Sequence, residues 1–210
     1  MAIGYACLNI GTPNTNIRSV MQRNATAEKL TEVITHNLEA LEKMVDYNIA
    51  NGISLYRISS DLIPFGSSPV NMLPWWDIHA EAFQHIGAKI RKSGMRVSFH
   101  PGQYTVLNSP DEDVVARAIL DLAYHAKMLE CLGVDNQHKI VLHVGGIYGD
   151  KEEALQRFAQ NFRRLPEAVR NRLIIENDDR LYNIEEVLEL AHRLQIPAVY
   201  DNLHHAINPT

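Results

Sequence analysis

The chain has 210 residues, a formal charge of −5 and no composition shift that would mark a second domain, so we expect one domain with one substantial core. No apolar run approaches the roughly 18 residues of a membrane span, and MAIGYACLNI lacks a basic leader, which together predict a soluble, cytoplasmic protein. The acidic charge argues against a non-specific nucleic-acid coat, and the two distant cysteines, Cys7 and Cys131, exclude a disulfide framework.

Six short β-prone runs alternate with amphipathic segments along the chain, as in a series of βα units. The runs are IGYACLN, SLYRISS, RVSFH, KIVLHVGG, RLIIEN and AVYDNL. Apolar residues at spacings of three and four predict a helix between Thr26 and Gly52, where Gly52 can form a left-handed cap. Cap signals at Ser109–Glu112, Asp150–Glu153 and Asn183–Glu186 predict three later helix starts.

A TIM-type (β/α) barrel is the architecture that this alternation favours. The runs 140–142 and 173–175 are apolar at successive positions, as in parallel strands that are covered on both faces. A doubly wound open sheet would give the same alternation, but Gly11-Thr12-Pro13 after the first strand is no Gly-rich phosphate loop. The barrel is also favoured because polar residues end nearly every strand, where barrel enzymes place their sites.

The strand ends predict a divalent-metal site. Imidazole nitrogens and carboxylate oxygens are suitable ligands for Zn²⁺ or Mn²⁺, and Glu176 could bridge more than one ion. A single histidine at a strand end is more often a hydrogen-bonded structural residue than a ligand. Successive strand ends carry several such groups, and that repetition makes a metal site the better interpretation. The candidate ligands are His100, His143, Glu176, Asp201 and His204.

Other polar residues receive structural interpretations. Cys7 is expected to be a small buried strand residue, and His205 is expected to be a supporting or solvent-facing neighbour of His204. The segment 177–180 could be a substrate loop or a turn that caps the following helix. We assign the remaining histidines to the outer surface, namely His36, His79, His85, His125, His138 and His192.

The loop after His100 carries an amide and an aromatic ring, Gln103 and Tyr104, next to Pro101 and Gly102. An amide that reads hydrogen-bonding edges beside a ring that stacks is typical of a site that probes unstacked bases. Taken alone, Tyr104 could equally be a rim residue packed on its neighbours.

The motifs as a set resemble those of the ultraviolet damage endonucleases over essentially the whole chain. They are GYACLN, YRISSDLIPF, HPGQY, VLHVGGIYGDKE, ENDDR and DNLHHAINP. The resemblance implies a barrel related to endonuclease IV and the xylose isomerase-like enzymes, with a cluster of divalent metals. Manganese is the expected ion, with Mg²⁺, Zn²⁺ and Co²⁺ as alternatives.

The resemblance also implies an activity and roles for residues. The enzyme would cut double-stranded DNA immediately 5′ to ultraviolet photoproducts, and at abasic sites in some members, by metal-assisted hydrolysis. The five candidate ligands match family positions in or around the metal cluster, with Glu176, His143 and His204 as the catalytic set. Gln103 and Tyr104 match the pair inserted at the lesion, and Tyr5 and Asn9 match polar residues near the active-site mouth.

The chain departs from the family pattern in two places. Ser68 stands where some members have a further histidine ligand. The family barrel has eight strands, so the chain is expected to hold the first six βα units and to be incomplete at its C-terminus. We expect no membrane contact and no obligate protein partner.

Two other functions remain open from the residues. A xylose isomerase-like sugar isomerase or epimerase would have a similar metal site, although the Gln103–Tyr104 rim argues against a small polyol substrate. A non-catalytic module that binds damaged DNA is the third alternative.

Overall fold

The structure, a computed structural model, describes residues 2–210. The chain divides into two compact units. The first comprises the chain up to His100 together with Tyr124–His138, and the second comprises Pro101–Ala123 with Lys139–Thr210.

The first unit contains a three-stranded parallel sheet with neighbouring strands in chain order. Its register aligns Tyr5 with Tyr56, and Tyr56 with Val97. The strands are β1 (Gly4–Ala6), β2 (Leu55–Arg57) and β3 (Arg96–Ser98), and the helices are α1 (Ala27–Ala50), α2 (Trp75–Ile78), α3 (Ala80–Ser93) and the later part of α4 (Glu112–Cys131).

Helix α1 begins and ends where the sequence predicts. The Thr26 side chain accepts a hydrogen bond from the Lys29 N–H group at 3.2 Å, which satisfies one of the unpaired donors of the first turn. Gly52 follows the helix at φ +65°, a left-handed conformation that glycine adopts without steric cost. Between these ends a stripe of buried residues, including Ile34, Leu41 and Val45, forms the core-facing side.

The second unit contains another three-stranded parallel sheet, again with neighbouring strands in chain order. The inner residues of its first two strands are at most 8% exposed, as the unbroken apolar runs predict. The strands are β4 (Ile140–His143), β5 (Leu173–Glu176) and β6 (Ala198–Val199), and the helices are the start of α4, α5 (Lys151–Arg164), α6 (Glu167–Arg170), α7 (Ile184–Leu194) and α8 (Asn202–Ile207).

Two of the three predicted later caps are confirmed, and one is wrong in position. Asp150 caps α5 and Asn183 forms a full capping box with Glu186 on α7. At α4 the capping side chain is Asp111, not Ser109, because Oδ1 of Asp111 accepts the N–H groups of residues 113 and 114. The Ser109 hydroxyl instead accepts the N–H group of Asp111 at 3.1 Å and shapes the preceding turn.

The α/β class with parallel strands linked through helices is confirmed by these two sheets. Across residues 2–210, each helix is too short or too polar to cross a membrane.

Candidate metal centre

The register of the second sheet places His143 and Glu176 side by side. Each is the last residue of its strand, and the two are direct partners in the parallel ladder. His143 Nε2 lies 3.6 Å from Glu176 Oε2. Glu176 is only 4% exposed, and a carboxylate buried to this degree requires hydrogen bonds, an opposite charge or a metal ion.

Asp201 approaches the same edge of the sheet from β6. Glu176 pairs with Val199, and Asp201 lies two residues beyond Val199 in an extended conformation, so its side chain points to the same face. One carboxylate oxygen, Oδ1, caps α8 by accepting the N–H groups of Leu203 at 2.8 Å and His204 at 2.9 Å. The other oxygen, Oδ2, lies 3.7 Å from His204 Nδ1.

The Asp201 carboxyl is held in its ionised form. Burial raises its pKa, but the backbone N–H groups of His204 and Leu203 and the neighbouring imidazoles of His204 and His143 outweigh that effect. The pKa of Asp201 therefore lies below its ordinary value. An ionised carboxylate is the form that binds a cation.

A backbone carbonyl fixes the tautomer of His204. The Nδ1 atom lies 2.8 Å from the carbonyl oxygen of Asn177, and since a carbonyl can only accept, Nδ1 carries the proton. The lone pair is therefore on Nε2 in the neutral ring, the arrangement usual for metal-binding histidines. The His143 and His204 ring centroids are 5.4 Å apart.

The second unit thus brings together four of the five predicted ligands: His143, Glu176, Asp201 and His204. Two imidazoles and two carboxylates form a mixed nitrogen and oxygen donor set, which suits Mn²⁺ and Zn²⁺ better than a purely hard or purely soft ion. The donors present therefore fit a divalent metal.

His100, the fifth predicted ligand, follows β3 at the end of the first unit. Its backbone is held by a short relay, because the Ser60 hydroxyl donates to the His100 carbonyl oxygen at 3.1 Å. The Ser60 proton is used in that bond, so its oxygen accepts from His125 Nε2 at 2.9 Å. His125 is 1% exposed and anchors this relay in the core.

Tyr5 and Asn9 lie together in the first unit. Tyr5 is half-buried on β1 with its ring against Tyr56, at 5.1 Å between centroids. Burial raises the pKa of Tyr5, and the amides of Asn9 and Asn48 lower it in part. Asn9 also accepts the Gly11 N–H group through Oδ1 at 3.2 Å, which orients its side chain.

Gln103 and Tyr104 form the tip of a turn in the second unit. The turn is closed by a bond from the Thr105 N–H group to the Gly102 carbonyl oxygen at 2.9 Å. Tyr104 is 70% exposed, so most of its ring is open to solvent. A Cβ atom on Gly102 would lie 2.4 Å from the Tyr104 ring, so a larger residue there would displace the ring from its present position. The Thr105 hydroxyl donates to Asp121 at 2.7 Å and anchors the turn to α4.

Several structural expectations are wrong. His79 and His125 are buried at 8% and 1% exposure, and the His138 side chain is 12% exposed, so these three histidines are not on the outer surface. Cys7 is only half-buried and follows β1 at φ +60° instead of lying in the strand. His138 accepts the Val97 N–H group through Nδ1 at 3.0 Å, and His125 bonds to the Ser60 hydroxyl.

Ser68, at the position where a family histidine is expected, lies in a turn. Its N–H group donates to the Phe65 carbonyl oxygen at 2.9 Å, and its hydroxyl accepts from the Val70 N–H group at 3.3 Å. Both contacts are local, so Ser68 shapes its own loop.

Sequence reasoning missed the role of Asn177. The segment 177–180 forms a turn in which the Asp178 carboxylate accepts the N–H groups of Arg180 and Tyr182. The interpretation that this turn caps the following helix is wrong, because Asn183 caps α7. Asn177 itself is fully buried and bonded to Asp201. The sequence signals were its place directly after Glu176 and within the ENDDR motif.

Comparisons with known proteins identify the family of this chain. The model of the UV-endonuclease UvdE family matches residues 2–210. A relative from Clostridium perfringens, a UV DNA damage endonuclease, is 42% identical over 204 residues, which make up 97% of this chain and 50% of that protein. The chain therefore spans half the length of this relative.

Solved structures of similar proteins show which fold this chain shares. The crystal structure of SacUVDE is 38% identical, with a TM-score of 0.95 over 99% of this chain and 71% of that one. Endonuclease IV from Thermus thermophilus shares the fold at 21% identity, with a TM-score of 0.54 over 78% of this chain and 58% of that one. The TIM-type (β/α) fold class predicted from the strand pattern is thus confirmed. From the family match over residues 2–210 and the likeness to SacUVDE, the chain belongs to the UV-endonuclease UvdE family.

Proposed function

We propose that this chain is the metal-binding part of an endonuclease that cuts duplex DNA immediately 5′ to ultraviolet photoproducts, and at abasic sites as a secondary activity. The observation that carries the proposal is the cluster of His143, Glu176, Asp201 and His204 in a chain matched by the family model from residue 2 to residue 210. A cytoplasmic location and a single-domain organisation stay predictions that go with this function.

The proposed ligands are the four clustered residues together with His100, and Mn²⁺ is the proposed ion, with more than one per site. A bound divalent ion supplies a water of lowered pKa and neutralises charge on the phosphate. Glu176 offers two oxygens from a buried position and is the proposed bridging ligand. His143 and His204 complete the catalytic set.

The residues outside the cluster are proposed to bind the DNA. The exposed Tyr104 ring offers a face on which a base can stack, and the Gln103 amide beside it can bond to the edge of a base. Tyr5 and Asn9 are proposed to contact substrate from the first unit. Photoproducts are already poorly stacked, so flipping costs least at the lesion and selectivity requires no reading of sequence.

The test is nicking of an end-labelled duplex that carries one cyclobutane dimer, with Mn²⁺ added and the product compared with a sequencing ladder. We expect one cut at the bond 5′ to the dimer and no cut in the undamaged duplex. Glu176→Gln should abolish cleavage and leave DNA affinity within a few-fold of wild type, because it removes a charged ligand but not the DNA-contacting residues.

Glu189→Gln is the matched control, since it makes the same chemical change on an exposed position of α7. It should cut like the wild type. Full cleavage by Glu176→Gln, or cleavage that is equal on damaged and undamaged DNA, would contradict the proposed function. Binding of the dimer-containing duplex without cleavage at any divalent metal would instead favour the non-catalytic alternative.

A further inference from the structure

Asn177 lies at the point where β5 ends and makes a reciprocal pair of contacts. Its side-chain Nδ2 donates to the carbonyl oxygen of Asp201 at 3.0 Å, and its Oδ1 accepts the N–H group of the same residue at 2.8 Å. The side chain is fully buried, at 0% exposure. One amide thus satisfies both backbone groups of a proposed metal ligand.

These two bonds lie just beyond the last hydrogen-bonded pair of β5 and β6. The last ladder pair between β5 and β6 is Glu176 with Val199. Beyond it the backbone of residue 201 turns into α8 and can no longer pair with a strand. The Asn177 amide offers a donor and an acceptor in the spacing of a backbone peptide group, so it satisfies polar groups that would otherwise lose their partners.

The backbone of Asn177 adds a third contact. Its carbonyl oxygen accepts the Nδ1 proton of His204 at 2.8 Å, which sets the tautomer and orientation of that ring. Asn177 also follows Glu176 directly in the chain. A single buried residue therefore contacts Asp201 and His204 and is covalently joined to Glu176.

We propose that Asn177 is a positioning residue whose amide holds Asp201, and the start of α8 that carries His204, in place beside Glu176. The proposal rests on the metal centre described under the proposed function and deepens it. Residues that orient metal ligands without binding the ion typically contribute about 10- to 100-fold to metal affinity. A contribution of that size is expected of the amide, because holding the backbone of Asp201 also places the start of α8, which carries His204.

Two substitutions separate the contacts. Asn177→Ala removes both side-chain bonds to Asp201. Asn177→Asp keeps the size and shape of the side chain and one acceptor, but places an oxygen against the Asp201 carbonyl oxygen in place of the donor. Both variants leave the backbone carbonyl that binds His204, so a loss of affinity in either does not come from that contact. Asn177→Ala removes the amide without adding charge, whereas the carboxyl of Asn177→Asp would by its charge strengthen cation binding, so weaker binding in that variant points to the lost donor.

Asn37 provides a matched control. It is also fully buried, its Oδ1 accepts the Arg18 N–H group at 2.8 Å, and its Nδ2 donates to the Arg18 carbonyl oxygen at 3.0 Å. The same reciprocal contact is thus made in the first unit to a residue that is no proposed ligand. Asn37 Nδ2 also donates to the Leu62 carbonyl oxygen at 3.0 Å, so Asn37→Ala should lower the free energy of unfolding at least as much as Asn177→Ala and leave metal affinity unchanged.

The experiment is Mn²⁺ titration of the 210-residue chain by calorimetry, with urea unfolding and amide hydrogen exchange at Asp201 measured on the same metal-free samples. We expect Mn²⁺ affinity about 10- to 100-fold weaker in Asn177→Ala and Asn177→Asp. Exchange at the Asp201 amide should be faster in metal-free Asn177→Ala than in the wild type.

Three results would overturn the proposal: Mn²⁺ affinity within twofold of wild type in folded Asn177→Ala, an equal loss of affinity in Asn37→Ala, or unchanged exchange at Asp201. Should Asn177→Ala fail to fold, the affinity of Asn177→Asp decides by the same criterion. A wild-type chain that binds no Mn²⁺ would refute the metal centre itself, and the exchange data on metal-free protein would then still confirm or refute the contacts to Asp201.

Discussion

Gly145 lies two residues beyond His143 and should tolerate no side chain. Its φ is +108°, a backbone conformation that costs residues other than glycine about 1 to 3 kcal/mol. A Cβ atom there would lie 2.5 Å from Oδ1 of Asn108 and 3.1 Å from Cγ1 of Val106. Asn108 is fully buried and its Nδ2 donates to the Gly146 carbonyl oxygen at 2.6 Å, so its amide cannot turn away without losing that bond.

The expected cost of Gly145→Ala has two parts. Backbone strain contributes about 1 to 3 kcal/mol, and displacement of the buried Asn108 amide contributes a further ~1 to 3 kcal/mol. Gly149→Ala isolates the first part, because Gly149 also has a positive φ, +88°, but a Cβ atom there would meet open space. We therefore expect Gly145→Ala to lower the free energy of unfolding by about 1 to 3 kcal/mol more than Gly149→Ala.

Urea unfolding of the two variants and the wild type measures this difference, provided that the denaturant slopes agree. Adding Asn108→Ala to the Gly145→Ala variant should recover part of the loss, because the displaced amide is then absent, and the coupling energy of the two changes should be about 1 to 3 kcal/mol. Equal losses in Gly145→Ala and Gly149→Ala, or a coupling energy near zero, would refute the reasoning. The loop after His143 would then owe its shape to backbone conformation alone.

Two further predictions concern DNA binding and pH. Tyr104→Ala should reduce the preference for a dimer-containing duplex over an undamaged one by ~1 to 3 kcal/mol, measured by fluorescence anisotropy. The control is Tyr47→Ala, which changes an exposed tyrosine on α1 and should leave this preference unchanged. An equal loss of affinity for both duplexes would contradict the stacking role of Tyr104. Lys89 Nζ donates a hydrogen bond to the Glu42 carboxylate at 2.7 Å. That bond and the Lys89 charge lower the pKa of Glu42, although burial opposes them. The pair therefore contributes about 0.2 to 1 kcal/mol to the free energy of unfolding. This contribution should be complete above the ordinary glutamate pKa of 4.5 and be lost as the pH falls below it. Urea unfolding should show the deficit of Lys89→Met shrinking on acidification, and a deficit that grows would contradict the sign.

The parts of the fold that the sequence predicts are those with local causes. Helix α1 follows from one cap and an apolar stripe, and β4 and β5 follow from unbroken apolar runs. His143 and Glu176 could be identified because each ends such a run. The cap of α4 was placed two residues early because Ser109 and Asp111 are both good caps, and only the backbone shows which one accepts the N–H groups of the first turn.

Buried polar groups account for most of what could not be predicted. His125 lies on the core face of α4, one turn from Leu122 and Leu129, and that spacing was visible in the sequence. It was assigned to the surface because a helical histidine is usually solvated, and its partner Ser60 is 65 residues away. Asn177 and its partner Asp201 are likewise distant in sequence, at 24 residues. Contacts of this kind depend on tertiary packing and leave no periodic signal.

The alternation of side chains along a strand explains why Asp201, and not Tyr200, lies beside His143 and Glu176. Side chains alternate between the two faces of a strand, so the face that carries His143 and Glu176 also carries residue 199 and, two residues on, residue 201. Tyr200 points the other way and is 56% exposed. A shift of one residue in the pairing of β6 would therefore exchange a carboxylate for a tyrosine at the proposed metal centre. Because β6 has only two ladder residues, the register depends on further contacts, and the two bonds from Asn177 to Asp201 are placed where they can fix it.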